Sequence, residues 1–285
     1  MREANVDIAS LRAWIGSKET AEDLLTPVLA DRFCKTLDLP GSTPRAGEPA
    51  PRLIHFCLCQ PAAPTSSLGS DGHIARGQFL PPVPLPRRMW AAGDLRFFGD
   101  LIVGQTIRRQ SRVTDVAYKA GRSGPLCFVT VDHRIEADDV LRIEDRQTIV
   151  YRDDQPQGSR ATAVASPPEG IIHESVEAPS ALLFRYSALT FNSHRIHYDR
   201  PYAMDEEGYP GLVVQGPLQA TWLFHFAAKT AGGEPPERFS FRGASPIFDF
   251  DELRLVAGVQ ADKRREFWTA RADGQVAMQA EAFWS

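Results

Sequence analysis

The chain has 285 residues, 43% of them hydrophobic and 24% charged, with a formal net charge of −4; this is the mixture of a soluble globular protein, long enough for one large domain or two small ones. The acidic balance excludes a sequence-independent grip on nucleic acid or an anionic membrane surface, since both need a basic excess. No stretch reaches the roughly 20 apolar residues of a membrane span, the N-terminus MREANVDIASLRAW reads as neither a signal nor a transit peptide, and the four cysteines (Cys34, Cys57, Cys59, Cys127) lack Cys-x-x-Cys spacing, so a cytoplasmic setting is expected.

Residues 18–36 place Leu24, Leu25, Val28, Leu29 and Phe33 at spacings of three and four, which predicts one amphipathic helix, kinked or started by Pro27. A Pro/Gly/Ser-rich loop follows from Leu39 to Pro51, then the short apolar run LIHFCLC, then a long loop from Pro61 to Pro86. Loops of that length are functional or mobile, and part of 61–80 is expected to be poorly ordered. From Arg88 to Asp153 the texture is that of strands, punctuated by Gly121 and Ser123-Gly124-Pro125. Residues 154–170 carry Pro and Gly and few large apolar residues, which marks them as a linker. The second half repeats the plan. A strand at 171–176 precedes a helix over 215–233, with Pro217 in its first turn and Gly232 or Gly233 ending it. Apolar residues surround that helix, so it is expected in the interior. Strands follow around 238–242, 248–256, 265–271 and 275–283, with Asp273-Gly274 as a hairpin turn. The implied architecture is α+β: two related modules, 1–160 and 161–285, each an antiparallel sheet around a helix.

The chemistry concentrates in one segment. Asn192, His194, His197 and Asp199 fall within eight positions, just ahead of the buried helix. Adding water across an α,β-unsaturated thioester needs a base for water, an acid for Cα and donors for the enolate-like oxygen. A histidine near neutrality takes and returns a proton readily, and the first amides of a helix lack intrahelical partners and favour negative charge. Pro217 has no N–H, which leaves Gly216 or Leu218 as donors; Gly216 also admits close approach of a ligand.

In these residues the sequence resembles the MaoC-like hotdog family of R-specific enoyl-CoA hydratases and 3-hydroxyacyl thioester dehydratases. Their motif, Ser/Thr-Gly-Asp-x-Asn-Pro-Ile/Leu/Val-His-x-Asp/Asn/Glu, aligns with Thr190-Phe-Asn-Ser-His-Arg-Ile-His-Tyr-Asp, and their Val-His-Gly turn with Val214-Gln-Gly. The resemblance puts His197 on the catalytic histidine, Gly216 on the oxyanion-hole glycine and Asn192 on the catalytic aspartate. An amide orients water but accepts no proton, so a strict Asp/His dyad does not carry over. The wording SALTFN-x-HRIHYD-x-x-YA and Pro86-Arg-Arg-Met-Trp-Ala-Ala-Gly is characteristic of a subgroup with this change. That subgroup holds mitochondrial-type 3-hydroxyacyl thioester dehydratases and the mesaconyl-C4-CoA and itaconyl-CoA hydratases. It implies a double hotdog with a degenerate first module, residues 1–160, and the catalytic module in residues 161–285.

The resemblance assigns His197 as acid and base, Asn192 to orient the water, His194 as a second proton carrier and the Gly216 N–H as oxyanion donor. Arg87, Arg88, Trp90, Tyr198, Asp199 and Gln215 are candidate substrate contacts, although capping a turn suits Asp199 better and a solvated face suits the arginines at least as well. His225, on the buried helix, reads as a hydrogen-bonded core residue. His194, His197 and Asp199 have no recognised third-ligand spacing, so no metal is expected, and no cofactor beyond the coenzyme A of the substrate. The expected activity is hydration of itaconyl-CoA or mesaconyl-C4-CoA to citramalyl-CoA by a homodimer. The alternatives are a 3-hydroxyacyl dehydratase acting on acyl carrier protein and, in a different class, a thioester-binding protein without turnover, which Asn192 motivates.

Overall fold

A computed structural model describes residues 6–121, 124–153 and 172–285; the linker expected at 154–170 lies outside them. Elements run α1 (Ile8–Arg12), β1 (Lys18–Leu24), α2 (Pro27–Thr36), β2 (Arg87–Phe97), β3 (Thr106–Gly121), β4 (Gly124–Ala137) and β5 (Val140–Arg152) in the first half. The second half holds β6 (Ile172–Val176), α3 (Ser180–Leu189), α4 (Gly216–Thr230), β7 (Arg238–Gly243), β8 (Leu253–Ala257), β9 (Arg264–Arg271) and β10 (Val276–Phe283).

All ten strands form one antiparallel sheet in the order β1-β3-β4-β5-β2-β7-β10-β9-β8-β6. Numbered within its own half, each set of five has the same order, and the halves meet at β2 and β7. The repeat expected from the sequence is therefore present in the strand order. At the seam, Ala92 to Arg96 pair with Arg242 to Arg238, and Arg238 grips Asp94 with two side-chain hydrogen bonds of 3.0 and 2.7 Å. Gly93 admits the Phe241 ring there: a Cβ on residue 93 would stand 2.5 Å from it.

The helices differ between the halves. α4 is buried as its all-round apolar pattern requires, with Leu218, Ala220, Leu223, Phe224, Phe226 and Ala227 in the interior. The first half has no counterpart of it among the described residues. In chain order α2 corresponds to α3, and between α2 and β2 lie only the one-turn 3-10 helices Ile54–Cys57 and Thr65–Ser67. The expectation of a helix for the first sheet to wrap is corrected accordingly. The run LIHFCLC supplies that 3-10 turn and is buried throughout.

The helix expected over 18–36 is also divided. Lys18–Leu24 pairs with β3 as a strand, and the helix begins at Pro27, with Thr26 as N-cap accepting a 3.1 Å hydrogen bond from the Leu29 N–H. Proline ends whatever precedes it but suits the first turn. Leu24 and Val28, which the periodicity counted as buried, are exposed. Leu25 and Phe33 join the main core, which also holds Leu53 and Ile54 of the first half and Leu223, Phe224 and Phe239 of the second. The halves thus share one core. No helix among the described residues is long and apolar enough to cross a membrane.

Overpacking a seam costs on the order of 1–3 kcal/mol. Gly93→Ala is therefore expected to lower the urea midpoint by that equivalent, and an unchanged midpoint would show that the Phe241 ring yields freely.

Candidate active site

The chain leaves α3 at Leu189, turns through Phe191, whose φ of 49° is left-handed, and enters a one-turn 3-10 helix, Arg195–His197. Two hydrogen bonds join this turn to the residues that lead into α4. The Val213 N–H donates to the Ile196 carbonyl at 3.0 Å, and His197 Nδ1 reaches the Val213 carbonyl at 2.7 Å. A carbonyl only accepts, so Nδ1 carries the hydrogen and Nε2 keeps its lone pair. His197 is buried, and burial, followed by neighbouring His194, pushes its pKa down to about 3. At rest it is a neutral proton acceptor.

Asn192 Oδ1 accepts the His194 N–H at 3.0 Å. That bond turns the amide NH₂ the other way, so Asn192 offers a donor to whatever occupies the cavity it lines. His194 is buried, with Nε2 3.6 Å from Glu207 Oε1, and its ring stands edge-on to His197 at a centroid distance of 5.4 Å. Gly216 opens α4, where its N–H precedes the first intrahelical bond. A Cβ there would lie 3.5 Å from the Trp90 carbonyl, an ordinary contact. Protein packing alone does not demand a glycine at this position.

A cavity of about 650 Å³ is lined by Asn192 and by Pro217 at the start of α4, whereas His194, His197 and Gly216 are not among its wall residues. It occupies the face of the first-half sheet that no long helix covers. His73, Arg88, Trp90, Asn192, Tyr198 and Pro217 stand in its wall, and at another part of it His55 Nε2 lies 3.9 Å from Asp145 Oδ2. Among the expected substrate contacts, Arg88, Trp90 and Tyr198 face the cavity. The others are committed elsewhere. Arg87 pairs with Glu207, and Asp199 accepts from Arg195 at 2.9 and 2.7 Å and caps Tyr202 N at 3.2 Å. Gln215 is buried and donates to the Leu183 carbonyl at 2.9 Å and Ser187 Oγ at 3.0 Å. His225 hydrogen-bonds the Arg52 backbone, as expected of a core histidine, while its Nε2 is buried without a partner.

Sequence reasoning missed the contribution of the first half. The long loop, part of which was expected to be poorly ordered, is tied to the turn that carries His194 and His197. The Arg195 N–H donates to the Asp71 carbonyl at 2.9 Å, Arg195 Nη1 to the Ser70 carbonyl at 3.0 Å, and Ser193 Oγ to the Gly72 carbonyl. Gly72 has φ +87°, and a Cβ on it would collide with the Ser193 carbonyl at 1.9 Å. This docking brings His73 to 4.1 Å from His194, centroid to centroid. His73 Nδ1 and its backbone N–H each hydrogen-bond the Asp71 carboxylate at 2.9 Å. Burial, only partly offset by Asp71, holds the His73 pKa down at about 4. Asp-Gly-His within a Ser/Gly-rich loop was the available signal.

Asp71, His73 and His194 also bring three ligand-type atoms within 4.8 Å of one another, a different set from the His194, His197 and Asp199 weighed from sequence. Asp71 and His73 are hydrogen-bonded to each other rather than splayed around a common centre, which is the geometry of a carboxylate–imidazole dyad.

The sequence profile of the family described as hydroxyacyl-thioester dehydratase type 2 matches residues 53–249. The chain is 45% identical over 273 residues, 95% of its length and 97% of the relative's, to mesaconyl-C(4)-CoA hydratase of Chloroflexus aurantiacus. It is 29% identical over 231 residues, 70% of its length and 75% of the relative's, to the mitochondrial hydroxyacyl-thioester dehydratase type 2 of Schizosaccharomyces pombe. Among solved structures, a MaoC-like dehydratase from Phytophthora capsici superposes with a TM-score of 0.69 at 14% identity, covering 98% of this chain and 99% of the other. HtdX of Mycobacterium tuberculosis gives 0.65 at 17% identity, covering 93% and 98%. The hotdog fold expected from the sequence is the fold observed.

Burial holds five histidines neutral in the folded protein: His55, His133 and His197 have pKa values near 3, and His73 and His225 near 4, against 6.5 unfolded. Below pH 6.5 the unfolded chain binds protons that the folded chain refuses, so stability falls as pH drops from 6.5 toward 4. Asp145, raised to about 7 by burial, acts with the opposite sign over 3.8 to 7 but is one group against five. The urea midpoint is expected to be lower at pH 5 than at pH 7; an equal or higher midpoint at pH 5 would contradict buried neutral imidazoles.

Proposed function

Because the chain belongs to the hydroxyacyl-thioester dehydratase type 2 family, we propose that it hydrates an α,β-unsaturated acyl-CoA, with mesaconyl-C4-CoA as substrate and citramalyl-CoA as product. The observation that supports the reaction type is the fixed tautomer of His197, which leaves an Nε2 lone pair in a turn hydrogen-bonded to the residues that lead into α4. The oxygen of a water held by the Asn192 amide bonds to Cβ, and His197 Nε2 takes the proton that leaves it. The π electrons move toward the thioester oxygen, which the Gly216 N–H receives. A proton then reaches Cα, and the thioester carbonyl is restored. These steps use proton transfer alone.

The 45% identity to a mesaconyl-C(4)-CoA hydratase supports the choice of acyl group, and so does one arginine. Mesaconyl-C4-CoA carries its free carboxylate on the carbon that receives the hydroxyl, so a cation must lie close to the imidazoles. Three arginines face the cavity. Arg76 is spent on the carbonyls of Val83, Leu85 and Pro86, and Arg109 lies 3.8 Å from Glu19. Arg88 neighbours His73 and the Tyr151 hydroxyl and has no carboxylate partner among the described residues. In this reading it pairs with the substrate carboxylate. Itaconyl-CoA holds its double bond one carbon further from the thioester and requires a proton shift before the same addition.

A second reading is dehydration of a longer 3-hydroxyacyl thioester, delivered by coenzyme A or an acyl carrier protein. The apolar part of the cavity wall, with Phe56, Phe79, Leu80 and Ile149, favours it by offering room for an acyl chain.

Turnover of mesaconyl-C4-CoA, itaconyl-CoA and crotonyl-CoA, followed by product mass, separates the readings. Selective hydration of mesaconyl-C4-CoA is expected, and preference for crotonyl-CoA would favour the second reading. His197→Ala is expected to lower kcat by about 10²- to 10⁴-fold, the range of an acid–base group; near-normal turnover would remove His197 from the mechanism. Arg88→Gln is expected to raise KM for mesaconyl-C4-CoA by about 10- to 100-fold, as for a lost charge-assisted hydrogen bond. Crotonyl-CoA kinetics should be unchanged, and an equal loss with both thioesters would assign Arg88 to another task.

A further inference from the structure

We propose that His73, positioned by Asp71, is a second catalytic acid–base residue, and that this pair from the first-half loop supplies the carboxylate that Asn192 lacks. The inference rests on the hydration reading above. After His197 takes a proton from water, its imidazolium is buried with Nδ1 on a neutral carbonyl. It has no carboxylate contact among the described residues to balance the charge. The two neighbouring rings do have such contacts. His194 Nε2 lies 3.6 Å from Glu207, and His73 Nδ1 lies 2.9 Å from Asp71. Charge compensation therefore improves from His197 through His194 to His73, along ring centroid distances of 5.4 and 4.1 Å.

His73 also faces the cavity. A carboxylate only accepts, so its bond to Asp71 places hydrogen on Nδ1 and leaves Nε2 free to receive a proton and give it up. The proton lost by water passes from His197 Nε2 to the hydrogen-free nitrogen of His194 and from that same nitrogen to His73 Nε2, so that the His194 tautomer is unchanged. There Asp71 balances the positive charge while the new C–O bond and the enolate persist. His73 then places that proton on Cα as the enolate electrons form the C–H bond. One water is consumed, its oxygen and one hydrogen end on Cβ and its other hydrogen on Cα, and every imidazole returns to its starting form. Asp71, His194 and Arg88 are the charged or titratable groups that act on His73. A substrate carboxylate held by Arg88 would reduce the repulsion that Arg88 exerts on a charged His73.

The loop is held in place by backbone contacts, through the carbonyls of Ser70, Asp71 and Gly72. Asp71→Asn keeps an acceptor for His73 and removes only the charge, so the fold should survive. With mesaconyl-C4-CoA, Asp71→Asn and His73→Ala are each expected to lower kcat by about 10²-fold with little change in KM. Free imidazole should restore part of the His73→Ala loss. Activity of both variants within threefold of the starting protein would overturn the proposal, as would a loss in His73→Ala that imidazole does not relieve. Loss on dialysis against a chelator, restored by a divalent metal, would overturn it in favour of ligation by the same residues.

Ring-proton titration of the free protein by NMR gives an answer that needs no turnover. Because Asp71 favours the charged form of His73, Asp71→Asn is expected to lower the His73 pKa, and an unchanged titration would reject the pairing. If the starting protein hydrates none of the thioesters, the functional reading fails while this titration still decides the dyad.

Discussion

The 2.7 Å hydrogen bond from His197 Nδ1 to the Val213 carbonyl is the constraint on which the site depends. It sets the tautomer, aims the Nε2 lone pair and joins the turn after α3 to the chain entering α4. With the Val213–Ile196 backbone bond it fixes the turn that carries Asn192, His194 and His197 to the segment that leads into the N-terminus of α4. None of these groups is unusual alone. Held together, they match the three demands of water addition: an acceptor for a proton, a donor to hold water and a donor for a developing oxyanion.

The space for a substrate has a different origin. The two halves repeat one strand order, yet among the described residues only the second has a long buried helix. Where the first half would carry its own, a one-turn 3-10 helix and a long loop leave a cavity of about 650 Å³. That loop then folds back on the turn of His194 and His197 through Ser70, Asp71 and Gly72. The first half thus contributes two things: the sheet face that the cavity covers, and a loop segment that brings His73 and Asp71 to His194.

Much of this was legible in the sequence. The strand texture from residue 88 onward, the buried helix begun by Pro217 and the cluster of Asn192, His194 and His197 follow from local patterns, because alternation, helix-start chemistry and motif spacing act over a few residues. Local pattern misled at residues 18–36, where helical spacing of leucines coincided with a strand. Pairing with β3 decided that segment, and Pro27 marked the boundary between the two states. Asp199 illustrates the limit of proximity in sequence: it lies two residues from His197 and is spent on Arg195 and Tyr202.

By itself the sequence determined the strands and the long buried helix of the second half, the residue types at the candidate reaction centre and the absence of an aspartate at position 192. Only the tertiary structure decided which groups surround that centre. His73 and Asp71 lie more than a hundred positions before His197, and Arg88 lies on a strand of the other half. No periodicity encodes such distances, because they arise from sheet pairing across the seam and from hydrogen bonds between a loop and a turn that meet only after the chain has folded.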